Sequence, residues 1–316
     1  MVFNIPIFIV GLALLCYSAN WLVKGSSLLA KSYGIKPLIV GLTIVAIGTS
    51  APELVVSVIA VIEKSSDLAL GNIIGSNICN IGLILGICSL MCPLAVPSLL
   101  LKKELPIMVF TSGLLFFFGA NLLISRVEGV ILLVGMISFM LYLILPALKG
   151  REEVHLDIND EKEYTKNGIN RLKNIGLVIA GMSGLVVGSH MMVKSSIFIA
   201  KSIGISEFVI GLVVVAVGTS LPELSTSVVA ALRKETDILV GNVIGSNISN
   251  VLLVIGTVAV LEPLSVDKSI LSFEFPVMMI FSVVLFPFLC FRPVLQKVGG
   301  IALILGYAFV VVISFV

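Results

Sequence analysis

The sequence contains little charge, since Asp, Glu, Lys and Arg together make up 12% of its 316 residues. Hydrophobic residues make up 58%, and the mean hydropathy is +1.19. These values exclude a soluble globular protein. The formal net charge of +2 is too small to indicate nucleic acid as a partner.

Histidine and cysteine are also scarce. His155 and His190 are far apart in the sequence, neither has a cysteine close to it, and none of the five cysteines belongs to a CxxC pair. A zinc site and a disulfide framework are therefore excluded, and we expect no cofactor and no obligate protein partner. The first apolar run lacks a basic leading segment and a small-residue cleavage site, which predicts a retained helix rather than a signal peptide.

Long apolar runs are abundant, and ten of them can cross a bilayer core, which takes about 20 residues each. Each is expected to be helical, because lipid offers no hydrogen-bond partner to free backbone groups. The sequence therefore predicts an all-α membrane protein with ten transmembrane helices. The predicted spans are 5–23, 37–62, 68–91, 105–124, 128–148, 174–193, 206–232, 238–261, 271–291 and 298–315.

The basic residues predict the orientation of these spans. If the N-terminus lies outside, the inside loops collect fifteen of the 20 Lys and Arg residues, six of them in the central hydrophilic loop. The positive-inside rule then places both termini outside the cell and the central loop in the cytoplasm. We expect a multi-pass protein of the cytoplasmic membrane, with the lipid bilayer as its surroundings.

Two motifs occur twice, each time 170 residues apart. Gly41–Ser57 (GLTIVAIGTSAPELVVS) and Gly211–Ser227 (GLVVVAVGTSLPELSTS) share eleven of seventeen residues, and Gly71–Asn80 (GNIIGSNICN) and Gly241–Asn250 (GNVIGSNISN) share eight of ten. The chain therefore predicts a duplication, with one five-helix repeat at 1–148, a cytoplasmic loop at 149–173 and a second repeat at 174–316. Because five spans is an odd number, the second repeat is inverted, as in many secondary transporters.

The first motif places a carboxylate within the membrane, at Glu53 and again at Glu223. Such a group costs about 2.5–3.5 kcal/mol even on a lenient insertion scale, which indicates a function in ion transport. Pro52 has no N–H, so the carbonyl of Gly48 loses its helical partner, and Gly48 loosens the helix further. We expect an interrupted helix near the midplane. Its free carbonyls, hydroxyls and carboxylates are the ligands of hard cations such as Ca²⁺ and Na⁺.

The second motif has two interpretations. Its glycines (Gly71, Gly75, Gly241 and Gly245) form a small-residue helix face that permits close packing. Asn77 and Asn80, together with Ser76, place amide and hydroxyl oxygens on much the same side of the helix. For Asn80 and Asn250 we favour a position in the lining of a cavity.

The paired Gly-Thr-Ser-X-Pro-Glu and Gly-Asn-X-X-Gly-Ser-Asn motifs resemble the α-repeats of the cation/calcium exchanger superfamily, most closely the prokaryotic sodium/calcium exchangers. The resemblance covers essentially the whole chain. It implies a transport site for Ca²⁺ and Na⁺, in which carbonyls also act as ligands. The implied site residues are Thr49, Ser50, Glu53, Ser76 and Asn80 with the carbonyl of Ala46, and Thr219, Ser220, Glu223, Ser246 and Asn250 with the carbonyl of Ala216.

Two departures bear on the coupled ion. Potassium-dependent and some archaeal relatives resemble this pattern with Asp at the position of Asn250, and the proton-coupled branch has Glu at the positions of Gly75 and Gly245. We therefore expect an antiporter that exports Ca²⁺ in exchange for Na⁺ by alternating access. The alternatives are a cation channel with a paired-glutamate filter, and a Ca²⁺/H⁺ or K⁺-dependent exchanger. An enzyme is not expected, because neither His nor Lys accompanies the motif hydroxyls.

Overall fold

The computed structural model describes residues 4–149, 168–202, 216–290 and 294–314, which are almost entirely helical. Four two-residue strands lie between the helices: β1 (Leu94–Ala95), β2 (Leu123–Ile124), β3 (Leu264–Ser265) and β4 (Val294–Leu295). The helices are α1 (Asn4–Tyr33), α2 (Pro37–Thr49), α3 (Ala51–Ile62), α4 (Ser66–Met91), α5 (Ser98–Lys102), α6 (Glu104–Gly119), α7 (Arg126–Lys149), α8 (Gly168–Ser202), α9 (Ala216–Thr219), α10 (Leu221–Leu232), α11 (Thr236–Leu261), α12 (Phe275–Cys290) and α13 (Lys297–Ile313).

The helices occupy the predicted apolar runs. Among the described residues, six helical segments are long and apolar enough to cross a membrane, and the bent pair α2–α3 makes a seventh when taken as one span. The predicted span 206–232 lies partly outside the described residues, which resume at Ala216. The prediction of an all-α membrane protein with interrupted helices is confirmed.

Two helices form the centre of the protein. In the most apolar 18-residue windows of α4 and α11, 78% and 83% of the residues are buried, against 22–28% for α1, α7 and α8. The outer helices present apolar side chains such as Ile9, Val134 and Ile179 on their exposed faces. Lipid can cover these faces, so the polar side chains of α4 and α11 are the ones sequestered inside the protein.

The two halves of the chain are related by approximate twofold symmetry. Strand β1 pairs with β4 and β2 pairs with β3, both antiparallel, so each strand pairs with one from the other half. In α4 and α11 a π-helical segment begins at equivalent residues, Asn80 and Asn250. The observed elements therefore agree with the duplication predicted from the 170-residue offset.

Some span boundaries were wrong. Helix α1 continues to Tyr33, ten residues beyond the predicted end, because residues such as Ser26 and Ala30 are buried against neighbouring helices. Helix α6 ends at Gly119 instead of 124. Leu122 adopts a left-handed φ of 67°, and the Leu123 N–H donates to the Asn121 side chain, so the chain turns there into β2.

Candidate ion-binding site

The first motif bends its helix, as predicted. Helices α2 and α3 meet at Ser50 with a bend of 41°, and Ser50 has φ −78° and ψ 5°. Ser220 has nearly the same conformation between α9 and α10, with φ −84° and ψ 5°. Pro52 and Pro222 each lie in the first turn of the following helix, where N–H groups have no acceptor within that helix, so the missing N–H costs α3 and α10 no hydrogen bond. Each half thus places a break beside its glutamate.

Gly48 and Gly218 also have a packing role that the sequence did not predict. A Cβ atom on Gly48 would overlap the Met182 methyl group, and one on Gly218 would overlap a methyl group of Val193. Both contacts are with α8, so these glycines let the two broken helices approach α8 closely.

The two glutamates are fully buried and have incomplete hydrogen bonding. The Ser50 hydroxyl donates to Glu223 Oε1 and the Ser76 hydroxyl donates to Glu53 Oε1, both at 3.4 Å. The other oxygen of each carboxylate, Oε2, has no hydrogen-bond partner among the described residues. A buried polar atom left unpaired costs about 1–3 kcal/mol, more if it is charged. The carboxylates therefore retain capacity for a ligand.

Hydroxyl groups from the two halves meet beside the glutamates. Thr49 Oγ1 lies 3.3 Å from Ser246 Oγ, and Ser76 Oγ lies 3.5 Å from Thr219 Oγ1. The Ser220 hydroxyl donates to Ser76 Oγ at 3.2 Å. Thus the hydroxyls predicted from separate motif copies form one buried cluster, to which both halves of the chain contribute.

The predicted carbonyls and amides lie in the same region. The Ala46 carbonyl accepts from the Ser50 N–H at 3.0 Å and lies 3.3 Å from Thr49 Oγ1. Ala216 begins α9, three residues before Thr219. Asn80 and Asn250 are fully buried, and the Oδ1 atom of each has no partner among the described residues. Four unpaired oxygens therefore occur as two symmetry-related pairs: Glu53 Oε2 with Glu223 Oε2, and Asn80 Oδ1 with Asn250 Oδ1.

Two further pairs of residues, which the motifs did not predict as part of the site, hold this cluster in place. Thr49 donates to Asn242 Oδ1 at 3.1 Å and Thr219 donates to Asn72 Oδ1 at 3.2 Å. The amide nitrogens of these asparagines donate to hydroxyls of the first motif, from Asn72 to Ser57 at 3.0 Å and from Asn242 to Ser227 at 3.1 Å. Asn72 matches Asn242 and Ser57 matches Ser227 at the 170-residue offset, and this identity could have indicated that they belong to the site.

The donor set suits a hard cation. Within the described ranges, no group of three or more His, Cys, Asp or Glu side chains is arranged to hold a metal ion. The cluster instead combines two carboxylates with neutral hydroxyl, amide and carbonyl oxygens. Oxygen ligands of this kind are preferred by Ca²⁺ and other hard cations, whereas soft metals prefer sulfur and nitrogen.

The structure confirms only part of the packing interpretation of the second motif. A Cβ atom on Gly241 or Gly245 would lie 2.7 Å from a carbonyl oxygen of α2, so these glycines permit close helix packing. No described atom lies within 4 Å of a Cβ atom built on Gly71 or Gly75. The residues equivalent to their α2 partners fall at 208–212, outside the described ranges.

Comparison with known proteins gives consistent matches along the chain. Residues 3–145 and 173–316 both match the sodium/calcium exchanger protein family. The chain is 37% identical to the inner membrane protein YrbG of Escherichia coli (strain K12), over 98% of this chain and 96% of that protein. It is 35% identical to the sodium/calcium exchanger MaX1 of Methanosarcina acetivorans, over 99% of both chains.

A solved structure shows the same fold. The sodium-calcium exchanger NCX_Mj, soaked with Na⁺ and Ca²⁺, superposes with a TM-score of 0.85 and 29% sequence identity, covering 99% of this chain and 98% of that one. The resemblance inferred from the motifs is therefore confirmed, as is the prediction that this multi-pass membrane protein is a transporter and not an enzyme. The chain belongs to the sodium/calcium exchanger family.

Proposed function

We propose that the protein exports Ca²⁺ in exchange for Na⁺, with both ions using the cluster around Glu53 and Glu223. The observation that carries this proposal is the pairing of two buried carboxylates, one from each half, each with an unpaired oxygen. Two negative charges match one Ca²⁺ or two Na⁺. The proposed ligands are the two carboxylates with Thr49, Ser50, Ser76, Asn80, Thr219, Ser220, Ser246, Asn250 and the carbonyls of Ala46 and Ala216.

Charge balance gives a physical reason for coupling. Two carboxylates that face one cavity repel each other when no cation is bound, and the repulsion is strong where water is excluded. An empty site is therefore costly to carry across the membrane. One Ca²⁺ or several Na⁺ relieve the repulsion, but they compete for the same oxygens. If only an occupied site can change the side of the membrane it faces, each ion that leaves must be replaced by another. The protein then exchanges ions and does not leak them.

A channel with a paired-glutamate filter is the main alternative of another class. Two inverted repeats around a buried site favour alternating access, in which the two halves rearrange about the site. Counterflow distinguishes the two classes. We expect unlabelled internal Ca²⁺ to accelerate uptake of external ⁴⁵Ca²⁺ into vesicles, whereas a channel conducts Ca²⁺ down its gradient without such trans-stimulation.

Asn250 bears on the identity of the coupled ion. An amide adds no charge, so the proposed site carries two negative charges and has little need of a co-transported K⁺ or H⁺. Replacing Asn250 by Asp places a third carboxylate beside the two glutamates, and a proton or a K⁺ would relieve the added repulsion. We expect Ca²⁺ flux in Asn250→Asp to fall more steeply than in the parent as pH decreases, or to acquire K⁺ dependence.

The matched control is Asn121→Asp, which makes the same chemical change at an exposed turn. Flux is measured in vesicles across a pH series, with and without K⁺. A parent that already requires K⁺, or an Asn250→Asp variant with unchanged pH and cation dependence, would exclude Asn250 from the ion site.

We further propose the orientation predicted from the basic residues, with repeats at 1–148 and 174–316, a cytoplasmic loop at 149–173, and both termini outside the cytoplasmic membrane. Asn159, in the part of the loop outside the described residues, is a suitable labelling site. A cysteine at Asn159 is expected to react with an impermeant reagent only from the cytoplasmic side, and cysteines added at the termini only from outside. Native cysteines are controlled for with the parent chain. A cytoplasmic C-terminus would contradict the inverted arrangement.

A further inference from the structure

We propose that Asn77 and Asn247 are positioning residues, each of which fixes the orientation of a proposed ion-ligating amide in the opposite repeat. Asn77 acts on Asn250, and Asn247 acts on Asn80. This inference rests on the proposed function, because it takes Asn80 and Asn250 as ligands. It adds a role to two residues of the second motif that are not themselves among the proposed ligands.

Backbone carbonyls fix the orientation of the Asn77 and Asn247 side-chain amides. The Asn77 Nδ2 donates to the backbone carbonyl of Asn247, and the Asn247 Nδ2 donates to the backbone carbonyl of Asn77, both at 3.3 Å. A carbonyl oxygen only accepts hydrogen bonds, so only the nitrogen end of each side-chain amide can face it. The orientation of both amides is therefore determined by their surroundings, including which end is oxygen.

Asn77 and Asn247 in turn orient the amides of Asn250 and Asn80, each in the opposite repeat. With its nitrogen directed to the backbone, Asn77 presents Oδ1 to Asn250, whose Nδ2 donates to it at 3.0 Å. In the same way Asn80 Nδ2 donates to Asn247 Oδ1 at 3.0 Å. Because each of these nitrogens is engaged, Oδ1 is the end of Asn80 and of Asn250 that stays unpaired and buried. A flipped amide would bring two oxygens together at 3.0 Å and present N–H groups to a cation.

The positioning residues have little bonding capacity left for an ion. The Asn77 Nδ2 also lies 3.8 Å from the Met278 sulfur, and the Asn247 Nδ2 lies 3.7 Å from the Met108 sulfur. Each of these two amides thus has a carbonyl, a weakly accepting sulfur and a donating amide as partners. This separates the roles of neighbouring asparagines, with Asn77 and Asn247 orienting and Asn80 and Asn250 presenting oxygen.

The crossed pattern predicts a specific energetic coupling. Removing the Asn77 side chain frees the Asn250 amide to rotate, so Asn77→Ala should weaken Ca²⁺ binding about tenfold, close to the effect of Asn250→Ala. Adding Asn77→Ala to Asn250→Ala should then produce little further loss. Adding Asn77→Ala to Asn80→Ala should multiply the two losses, because those residues act on different ligands.

The test is a pair of double-mutant cycles on the purified full chain, read out as the Kd for Ca²⁺ and as the thermal midpoint. The cycle of Asn77 with Asn250 is expected to be strongly non-additive, and the cycle of Asn77 with Asn80 additive. In the mirror cycles, Asn247 with Asn80 is expected to be strongly non-additive, and Asn247 with Asn250 additive. Coupling of Asn77 with Asn80 equal to its coupling with Asn250, or a lower thermal midpoint with unchanged Kd, would overturn the proposal.

Asn77→Leu and Asn247→Leu provide a second series, because Leu keeps the volume and removes the polar atoms. Failure of every single variant at both positions to fold would assign a purely structural role and also overturn the proposal. A parent chain that binds no Ca²⁺ would contradict the proposed function instead. In that case the same cycles, measured with Na⁺, still decide whether the crossed orientation exists.

Discussion

Glu53→Gln and Glu223→Gln are each expected to abolish Ca²⁺ transport while leaving the protein folded. A divalent ion in this cluster depends on both charges, since the remaining groups are neutral oxygens. At an effective dielectric constant of about 20, one unit charge pair separated by about 4 Å is worth about 4 kcal/mol, or roughly a thousandfold in binding. Gln keeps the shape of the side chain, so the fold should survive.

The measurement is Na⁺-driven ⁴⁵Ca²⁺ uptake into vesicles, with the amount of folded protein checked by gel filtration. The control is Glu262→Gln, which makes the same change at a residue that pairs with Lys64 at 2.7 Å on the exposed surface. It should retain parental uptake. Substantial Na⁺-driven Ca²⁺ uptake in either site variant would contradict a site shared by the two glutamates.

Gly245→Ala is expected to lower both the stability of the protein and its affinity for Ca²⁺. The new Cβ atom would lie 2.7 Å from the Leu42 carbonyl oxygen and 2.8 Å from the Ala46 Cβ atom. Both neighbours belong to α2, and the contact with Leu42 is with backbone, so α2 must shift. Overpacking of this kind costs about 1–3 kcal/mol. Because Ala46 supplies a proposed ligand, apparent Ca²⁺ affinity should fall together with stability.

Gly113→Ala is the matched control, since it also lies within a helix and the nearest side-chain atom would be 3.7 Å away, an ordinary contact. Its thermal midpoint in detergent should equal or exceed that of the parent. A Gly245→Ala variant as stable as the parent, with parental Ca²⁺ affinity, would show that α2 and α11 do not pack as described.

Much of the fold could be predicted because the chain carries its main features twice. Apolar runs of membrane-spanning length predict helices on their own. The identity of two motifs at one fixed offset adds the duplication, and Pro52 adds the break. These are local features, and the structure places them where the sequence predicts.

Contacts between the two halves were harder to predict. Nothing in the spacing shows that Thr49 bonds Asn242 or that Asn77 bonds Asn250, because each pair joins residues more than 150 positions apart. Gly48 was assigned to flexibility because its packing partner, Met182, lies on a helix without either motif. Side-chain partners across the symmetry axis depend on how the halves dock, which a single sequence does not specify.

The ends of helices were similarly dependent on surroundings. Helix α1 runs past its apolar segment because α8 and α10 pack against it. In its later part Ser27 donates to Glu235, which lies between α10 and α11, at 2.7 Å. Hydropathy alone placed the end of this helix at the last strongly apolar residues. Burial of small polar side chains against other helices extended it.

The most direct test of the account is the driving ion of Ca²⁺ transport. Purified protein is reconstituted into vesicles, and ⁴⁵Ca²⁺ uptake is measured with outward gradients of Na⁺, K⁺ or H⁺ imposed separately. We predict ⁴⁵Ca²⁺ uptake with the Na⁺ gradient alone, at a rate that K⁺ does not change. The Na⁺ ionophore monensin, added when no pH gradient is imposed, should abolish this uptake because it dissipates the Na⁺ gradient. Ca²⁺ uptake driven by K⁺ or H⁺ in the absence of Na⁺, or no Ca²⁺ uptake with a maintained Na⁺ gradient, would contradict it.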